Sequence, residues 1–222
     1  KLDAIEQKLI VSKVKDKIIA DVFNADKNIV ILGEPGSGKS LLLKFIMHRI
    51  LCKETNEIGL KEYSSFIPIR IELSKYNEIK DVNCIIEYLV TLFKTEYQIN
   101  TSYEVLEYMF EKKDVLIFFD GFDEIFNFSH KATVKNNIET FLLRFPKSKG
   151  VVTSRFIGYH DNKFSDDKYD EFSILKLNDD KIKELVSNFC STQYLNKEKK
   201  TQFINSFNEQ LKEVDYELKS NP

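Results

Sequence analysis

The chain is poor in cysteine, has no excess of positive charge and lacks any long hydrophobic run, and each shortage excludes a class of protein. Its three cysteines, Cys52, Cys84 and Cys190, are far apart and odd in number. They match neither a disulfide framework nor the ligand spacing of a metal site, and they suggest a reducing compartment. We therefore expect a cytoplasmic protein whose cysteines act as small buried hydrophobic residues.

The charge balance and the length of the apolar segments limit the possible partners. The chain has 33 basic and 35 acidic residues, a formal net charge of −2, which gives no clear sign of a nucleic-acid partner. Its apolar runs are short and strand-like, so we expect no membrane partner. It begins Lys1-Leu2-Asp3, without a methionine or the apolar core of a signal peptide, and we expect a fragment of something longer.

A complete phosphate-binding pattern, G-x-x-x-x-G-K-[ST], occupies residues 33–40. It consists of Gly33, Glu34, Pro35, Gly36, Ser37, Gly38, Lys39 and Ser40, and Leu41 follows it. The apolar run 29–32 precedes the pattern and a helix-like run follows it. This strand–loop–helix context argues against a chance match in a glycine-rich turn.

The residue types of this pattern suit the binding of a nucleotide. Glycines let several backbone N–H groups point at one phosphate, and the following helix presents its positive end to the same anion. Lys39 supplies a compact cation for the outer phosphates, and the hydroxyl of Ser40 can hold Mg²⁺. We predict that residues 33–41 bind a nucleotide together with Mg²⁺.

Short apolar segments alternate with helical patterns through most of the chain. The predicted strands are 28–32, 66–73, 115–119, 150–153 and 172–177, and helical spacing is found at 81–94, 103–110 and 134–145. This alternation is typical of an α/β protein with a five-stranded, mostly parallel sheet flanked by helices. The helix from about residue 38 to 51 is apolar nearly all round, so we expect it to be buried.

The pattern divides the chain into three parts. Residues 1–27 are charged with scattered apolar positions and form a predicted helical lead-in. Residues 28–177 contain every predicted strand and form the nucleotide-binding core. From 178 to 222 only helical spacing remains, so we expect the start of a small helical subdomain there.

Three acidic residues, Asp120, Asp123 and Glu124, follow the buried strand at 115–119. In an enzyme with a phosphate loop, a carboxylate at the end of such a strand orients the Mg²⁺ that the loop's hydroxyl holds. We assign this role to Asp120. A second acid nearby can orient the attacking water, and Asp123 and Glu124 are both candidates. Acids also suit the first turn of a following helix, and the sequence alone does not separate these interpretations.

The order Asp120-Gly121-Phe122-Asp123-Glu124 after a hydrophobic strand resembles the NACHT branch of the STAND nucleotide-switch ATPases. Ordinary AAA+ enzymes carry Asp-Glu directly at the strand end, where this chain has Gly121. The phosphate loop also has the Gly-Glu-Pro-Gly-x-Gly-Lys-Ser form that is common in that branch. The resemblance implies a P-loop NTPase fold of the ASCE, AAA+-like type, followed by a helical subdomain.

Further segments resemble other parts of the family. Residues 150–155 look like its sensor-1 strand, which implies that Arg155 contacts the terminal phosphate; taken alone, Arg155 would be a surface arginine. Residues 175–182 resemble the segment that leads into the helical subdomain. Asn221-Pro222 resembles the start of the Asn-Pro-Leu motif, whose proline lies against the base. The family's winged-helix module, with its ADP-binding histidine, is expected after Pro222, and the chain's own histidines match no motif.

The resemblance implies a molecular switch that holds ADP when closed and ATP with Mg²⁺ when open. A protein trigger would favour a homo-oligomer that activates a fused effector, and both the trigger and the effector are expected outside this segment. Bacterial members often serve in antiphage defence. ATP is preferred over GTP by resemblance alone. The alternatives are an AAA+ motor acting on DNA or protein, a scaffold with a vestigial nucleotide site and, more remotely, a small-molecule kinase.

Overall fold

One parallel sheet organises the part of the chain that the structure describes. The computed structural model describes residues 19–78, 84–193, 201, 203 and 205–207. The strands are β1 Asn28–Leu32, β2 Ile67–Glu72, β3 Val115–Asp120, β4 Ser148–Ser154 and β5 Tyr169–Ser173. They lie in the order β2-β3-β4-β1-β5, and every neighbouring pair is parallel. The predicted α/β architecture is confirmed.

Helices connect the strands and cover both faces of the sheet. They are α1 Ile19–Phe23, α2 Lys39–Leu51, α3 Leu73–Glu78, α4 Ile85–Thr95, α5 Tyr103–Lys112, α6 Phe128–Arg144, α7 Phe156–Tyr159 and α8 Asp179–Gln193. The side chain of Asn127 caps α6 by accepting hydrogen bonds from two backbone N–H groups of its first turn, a contribution of about 1 kcal/mol. Among the helices of the described residues, none is long and apolar enough to cross a membrane.

Strand β3 is central to the core, and all six of its residues are buried. Leu116 and Phe118 belong to the cluster on one face of the sheet, whereas Ile117 and Phe119 belong to the cluster on the other. Each such side chain contributes about 2 kcal/mol through burial. Because all strands run parallel, the segments that follow β1, β3 and β4 meet at one edge of the sheet.

The expectation that the helix after the phosphate loop is buried all round is wrong. In α2 only one stripe, Leu43, Ile46 and Ile50, is buried against the sheet, while Leu41 and Leu51 are about two-thirds exposed. The physical reason is that a helix lying on a sheet has one covered side. An apolar sequence does not by itself supply a second covering layer.

The last strand also differs from its prediction, since β5 spans Tyr169–Ser173 rather than 172–177. It is an edge strand that pairs with β1. It therefore tolerates the half-buried Asp170 and the exposed Glu171, the two acids that made the strand hard to recognise in the sequence. Between α2 and β2 the chain forms two 3₁₀ helices, Thr55–Ile58 and Lys61–Ser65.

Some predictions fall on residues outside the described ranges. These are residues 1–18 of the lead-in, most of the predicted helical subdomain after residue 193, and Pro222. Of the lead-in, the structure describes α1 and the turn into β1, and of the helical subdomain it describes α8.

Candidate functional site

The phosphate loop joins the end of β1 to the start of α2 and depends on its glycines. Gly36 and Gly38 have φ angles of 74° and 85°, a left-handed conformation that glycine adopts without steric cost. Gly33 needs its missing side chain for another reason, since a Cβ there would overlap the hydroxyl of Ser37. The loop can therefore fold back over the helix start, which is the geometry that a bound phosphate requires.

Lys39 lies over the loop that it follows. Its ammonium donates hydrogen bonds to the carbonyl oxygens of Gly33 at 2.7 Å and Glu34 at 3.0 Å. Burial lowers the pKa of Lys39, the carboxylate of Asp123 opposes this, and the charge of Arg155 adds to the lowering. Lys39 is thus a partly desolvated cation that lies within electrostatic reach of both residues.

Ser40 and Asp120 are 80 positions apart in the sequence and meet in the fold. The hydroxyl of Ser40 donates to Oδ1 of Asp120 at 3.1 Å, and the buried hydroxyl of Thr153 donates to the same oxygen at 2.6 Å. A hydroxyl and a carboxylate oxygen are hard donors of the kind that Mg²⁺ prefers. The residues present therefore fit a magnesium ion between the loop and β3.

Arg70 on β2 is a member of this site that sequence reasoning missed. Its guanidinium donates to Oδ2 of Asp120 from Nε at 3.0 Å and from Nη2 at 2.6 Å, and Nη1 donates to Glu72 at 2.7 Å. The sequence did contain a signal for this role. Arg70 and Glu72 are two charged residues at alternate positions in an otherwise apolar strand. With no knowledge of the strand order, nothing in the sequence directed them towards Asp120.

Asp123 and Arg155 form a second carboxylate–arginine pair at the same edge. The backbone N–H of Arg155 donates to Oδ1 of Asp123 at 3.0 Å, and its Nε lies 2.8 Å from Oδ2. Both residues line a cleft with Glu34 and Pro35 of the phosphate loop, and Lys131 lines it as well. The structure therefore brings the predicted sensor arginine and one predicted catalytic acid beside the loop.

Glu124 lines the same cleft but, unlike Asp123, it is an exposed residue. Gly121 has a φ of 84°, and a Cβ on it would lie 2.9 to 3.2 Å from the carboxylate group of Glu124. The backbone N–H of Gly121 donates to the hydroxyl of Thr153 at 2.9 Å. A glycine after Asp120 thus lets the chain turn so that Glu124 lies over the strand end.

An apolar cavity lies beside the first turn of α2, next to the phosphate loop. Its lining comes from α1, β1, α2, β5, the segment that follows β5 and α8, which contributes Lys181. The apolar members include Val22, Phe23, Leu42, Phe172, Ile174 and Leu175. The sequence offered no base-contact residue in this region, and Pro222, the one predicted, lies outside the described residues. Leu41, predicted to contact nucleotide, is exposed at the start of α2.

Comparison with known proteins supports the family that the motifs suggested. A structure of C. elegans PCH-2 is similar over 82% of this chain and 43% of that chain, with 16% sequence identity and a TM-score of 0.46. The chain therefore spans less than half of the length of that protein. No curated protein matches the chain significantly. A family model described as the NACHT domain matches residues 27–193, and since this is well over half of the chain and includes the phosphate loop, Asp120 and Arg155, the protein belongs to the NACHT family of P-loop NTPases.

Proposed function

We propose that this domain is an ATP- and ADP-binding, Mg²⁺-dependent NTPase that acts as a slow switch. The observation that carries the proposal is the 3.1 Å contact between the hydroxyl of Ser40 and the carboxylate of Asp120. It joins the phosphate loop to the acid at the end of β3, the two parts that phosphate-loop enzymes need for a nucleotide and its metal ion.

The loop residues have separate tasks in this proposal. The backbone N–H groups of residues 33–41, apart from Pro35, which has none, surround the β-phosphate. Lys39 exchanges its loop carbonyls for phosphate oxygens, to which its charge is attracted more strongly. Ser40 and Asp120 hold Mg²⁺, which when bound supplies charge neutralisation on the phosphates. Thr153 and Arg70 hold the Asp120 carboxylate between them and thereby fix the direction in which Oδ1 faces.

Recognition of the third phosphate and of the base falls to other elements. In this proposal Arg155 contacts the γ-phosphate, and Asp123 or Glu124 orients the water that attacks it. The apolar cavity beside α2 suits an adenine ring, because apolar side chains from α1, α2 and β5 line it. Pro222 is proposed, by family resemblance, to lie against the same base.

The switch itself follows from a difference in contacts between nucleotides. A γ-phosphate can shift an equilibrium between closed and open forms only if it contacts one form better than the other. Arg155 is the proposed carrier of that difference. In the whole protein, we propose that the ATP form assembles into a homo-oligomer and activates a fused effector in response to a protein trigger, in cytoplasmic antiphage defence.

Titrations of the purified protein with ADP, ATP and GTP, each with and without Mg²⁺, test the proposal. We expect binding of adenine nucleotides, tighter binding of ATP when Mg²⁺ is present, and turnover well below the typical enzyme rate of about 10 s⁻¹. Lys39→Ala should remove most of the binding, with Lys44→Ala on the same helix as the matched control. Failure to bind any nucleotide would support a vestigial scaffold, whereas brisk turnover without a trigger would support a motor.

A further inference from the structure

Both oxygens of the Asp123 carboxylate contact the same residue, Arg155. Its Oδ1 accepts from the backbone N–H of Arg155 at 3.0 Å and its Oδ2 pairs with Nε of the same arginine at 2.8 Å. A carboxylate that orients an attacking water must offer that water a free acceptor position directed at the phosphate. Both oxygens of Asp123 are instead directed at Arg155.

The packing around Asp123 holds the carboxylate in this position. A Cβ on Gly158 of α7 would lie 2.6 Å from Cβ of Asp123, so the helix backbone lies directly against the acid. Lys131 on α6 donates to the carbonyl oxygen of Gly158 at 2.9 Å and thereby ties that helix down. Asp123, which lies in the turn after β3, is therefore packed against α7. Its carboxylate faces Arg155, the residue that follows β4.

The Arg155 side chain, in contrast, is held by contacts close to the backbone, while its guanidinium end extends away from Asp123. The contacts with Asp123 use the backbone N–H and Nε, so the two terminal nitrogens are left to bind another anion. Half of the Arg155 side chain is exposed, compared with one-tenth of that of Asp123. The cleft into which it extends is lined by Glu34 and Pro35 of the phosphate loop.

From this arrangement we propose that Asp123 is a positioning residue, which anchors Arg155 so that its terminal nitrogens contact the γ-phosphate, while Glu124 orients the attacking water. This inference rests on the proposed function and assigns different tasks to two neighbouring acids. Asp123 determines whether the site distinguishes ATP from ADP. Glu124, exposed and lying over Gly121, determines how fast bound ATP is hydrolysed.

The test compares four variants of the whole domain, Asp123→Asn, Arg155→Ala, their combination and Glu124→Gln. Affinities for ADP and for a non-hydrolysable ATP analogue are measured with Mg²⁺, together with kcat for ATP. Asp123→Asn replaces one of the two acceptor oxygens with an amide N–H₂ that faces an N–H donor of Arg155, so we expect the ATP-to-ADP affinity ratio to fall about tenfold, the effect of one charge-assisted hydrogen bond. Arg155→Ala should cause the same fall and the combination no further fall, whereas Glu124→Gln should lower kcat alone.

Asp161→Asn is the matched control, since it removes an exposed acid from the turn after α7 and should leave both readouts unchanged. If Arg155→Ala lowers the ratio and Asp123→Asn does not, the positioning role is wrong while the proposed function stands. If the two effects multiply in the combined variant, Asp123 acts independently of Arg155 and the inference fails. If Arg155→Ala leaves the ratio unchanged, the proposed role of Arg155 itself fails.

Discussion

Two carboxylate–arginine pairs lie at the same edge of the sheet, and they differ in how far each is withdrawn from water. In the first, Asp120 is 5% exposed and Arg70 is 19% exposed, and in the second the values are 10% for Asp123 and 51% for Arg155. In the first pair two guanidinium nitrogens contact one carboxylate oxygen, whereas in the second Nε and the backbone N–H of the arginine contact one oxygen each. The difference is that the first arginine projects from a strand of the sheet, whereas the second begins the loop after one.

The difference suggests a division of labour. A well-buried pair with further hydrogen bonds is costly to break, since removing one partner leaves an uncompensated charge. In a pair with one exposed partner, the exposed end of that partner stays accessible to a ligand while the pair is kept. Asp120 and Arg70 therefore suit a fixed frame for the proposed metal site, and Arg155 suits the proposed contact with a phosphate.

The largest expected effect comes from breaking the buried pair at its acid. Asp120→Ala leaves the Arg70 guanidinium facing a partly buried space and removes the acceptor of Ser40 and Thr153, so we expect a loss of about 3 kcal/mol in the free energy of unfolding. Chemical denaturation measures it. The same variant should lose nearly all Mg²⁺-dependent hydrolysis, because the carboxylate that holds the ion is gone. An unchanged unfolding midpoint would contradict the fixed-frame interpretation.

Breaking the same pair at its arginine should cost less. Arg70→Ala leaves Asp120 with the hydroxyls of Ser40 and Thr153 as donors, so we expect a loss of about 2 kcal/mol in the free energy of unfolding. Lys75→Ala is the matched control, because Lys75 also pairs with Glu72 but is exposed. Should both variants be equally stable, the Arg70 pair would be no more than a surface ion pair.

Gly121 lies between Asp120 and Asp123, the acids of the two pairs, and turns the chain between them. Its replacement therefore tests whether the two acids have separate roles. Gly121→Ala forces a side chain into a left-handed conformation, which costs about 1 kcal/mol, and the new Cβ displaces the Glu124 carboxylate. We expect lower stability together with slower hydrolysis at unchanged ADP affinity. Gly59→Ala, at a φ of 72° and against Ala20, is the control that should lower stability without slowing hydrolysis.

The smallest effect on stability should come from the exposed pair. Arg155→Ala removes an ion pair with a half-exposed partner, and we expect a change below about 1 kcal/mol in the free energy of unfolding. Thermal or chemical denaturation beside Arg70→Ala gives the direct comparison. A loss as large as that of Arg70→Ala would show that the two pairs contribute equally to stability. It would remove the reason for assigning the phosphate contact to Arg155 rather than to Arg70.

The parts of the structure that depend on residues close together in the sequence could be predicted, and the parts that depend on the whole fold could not. The phosphate loop and β3 were predictable because the first depends on a short stretch of glycines and the second on an unbroken apolar run. Strand β5 was predicted at the wrong position because an edge strand with one neighbour does not need the unbroken apolar run by which buried strands are recognised. The exposed side of α2 was missed because the number of layers covering a helix is a property of the whole fold.

By itself the sequence determined the phosphate-binding chemistry, the alternation of strands and helices and the family, because each is written in residues that are close together along the chain. The tertiary structure decided the partners of the acids: Arg70 for Asp120, Arg155 for both oxygens of Asp123, and an open cleft for Glu124. The physical reason is that carboxylates and guanidinium groups are drawn together through space. Strand order, which no local pattern encodes, decides which of them come within reach.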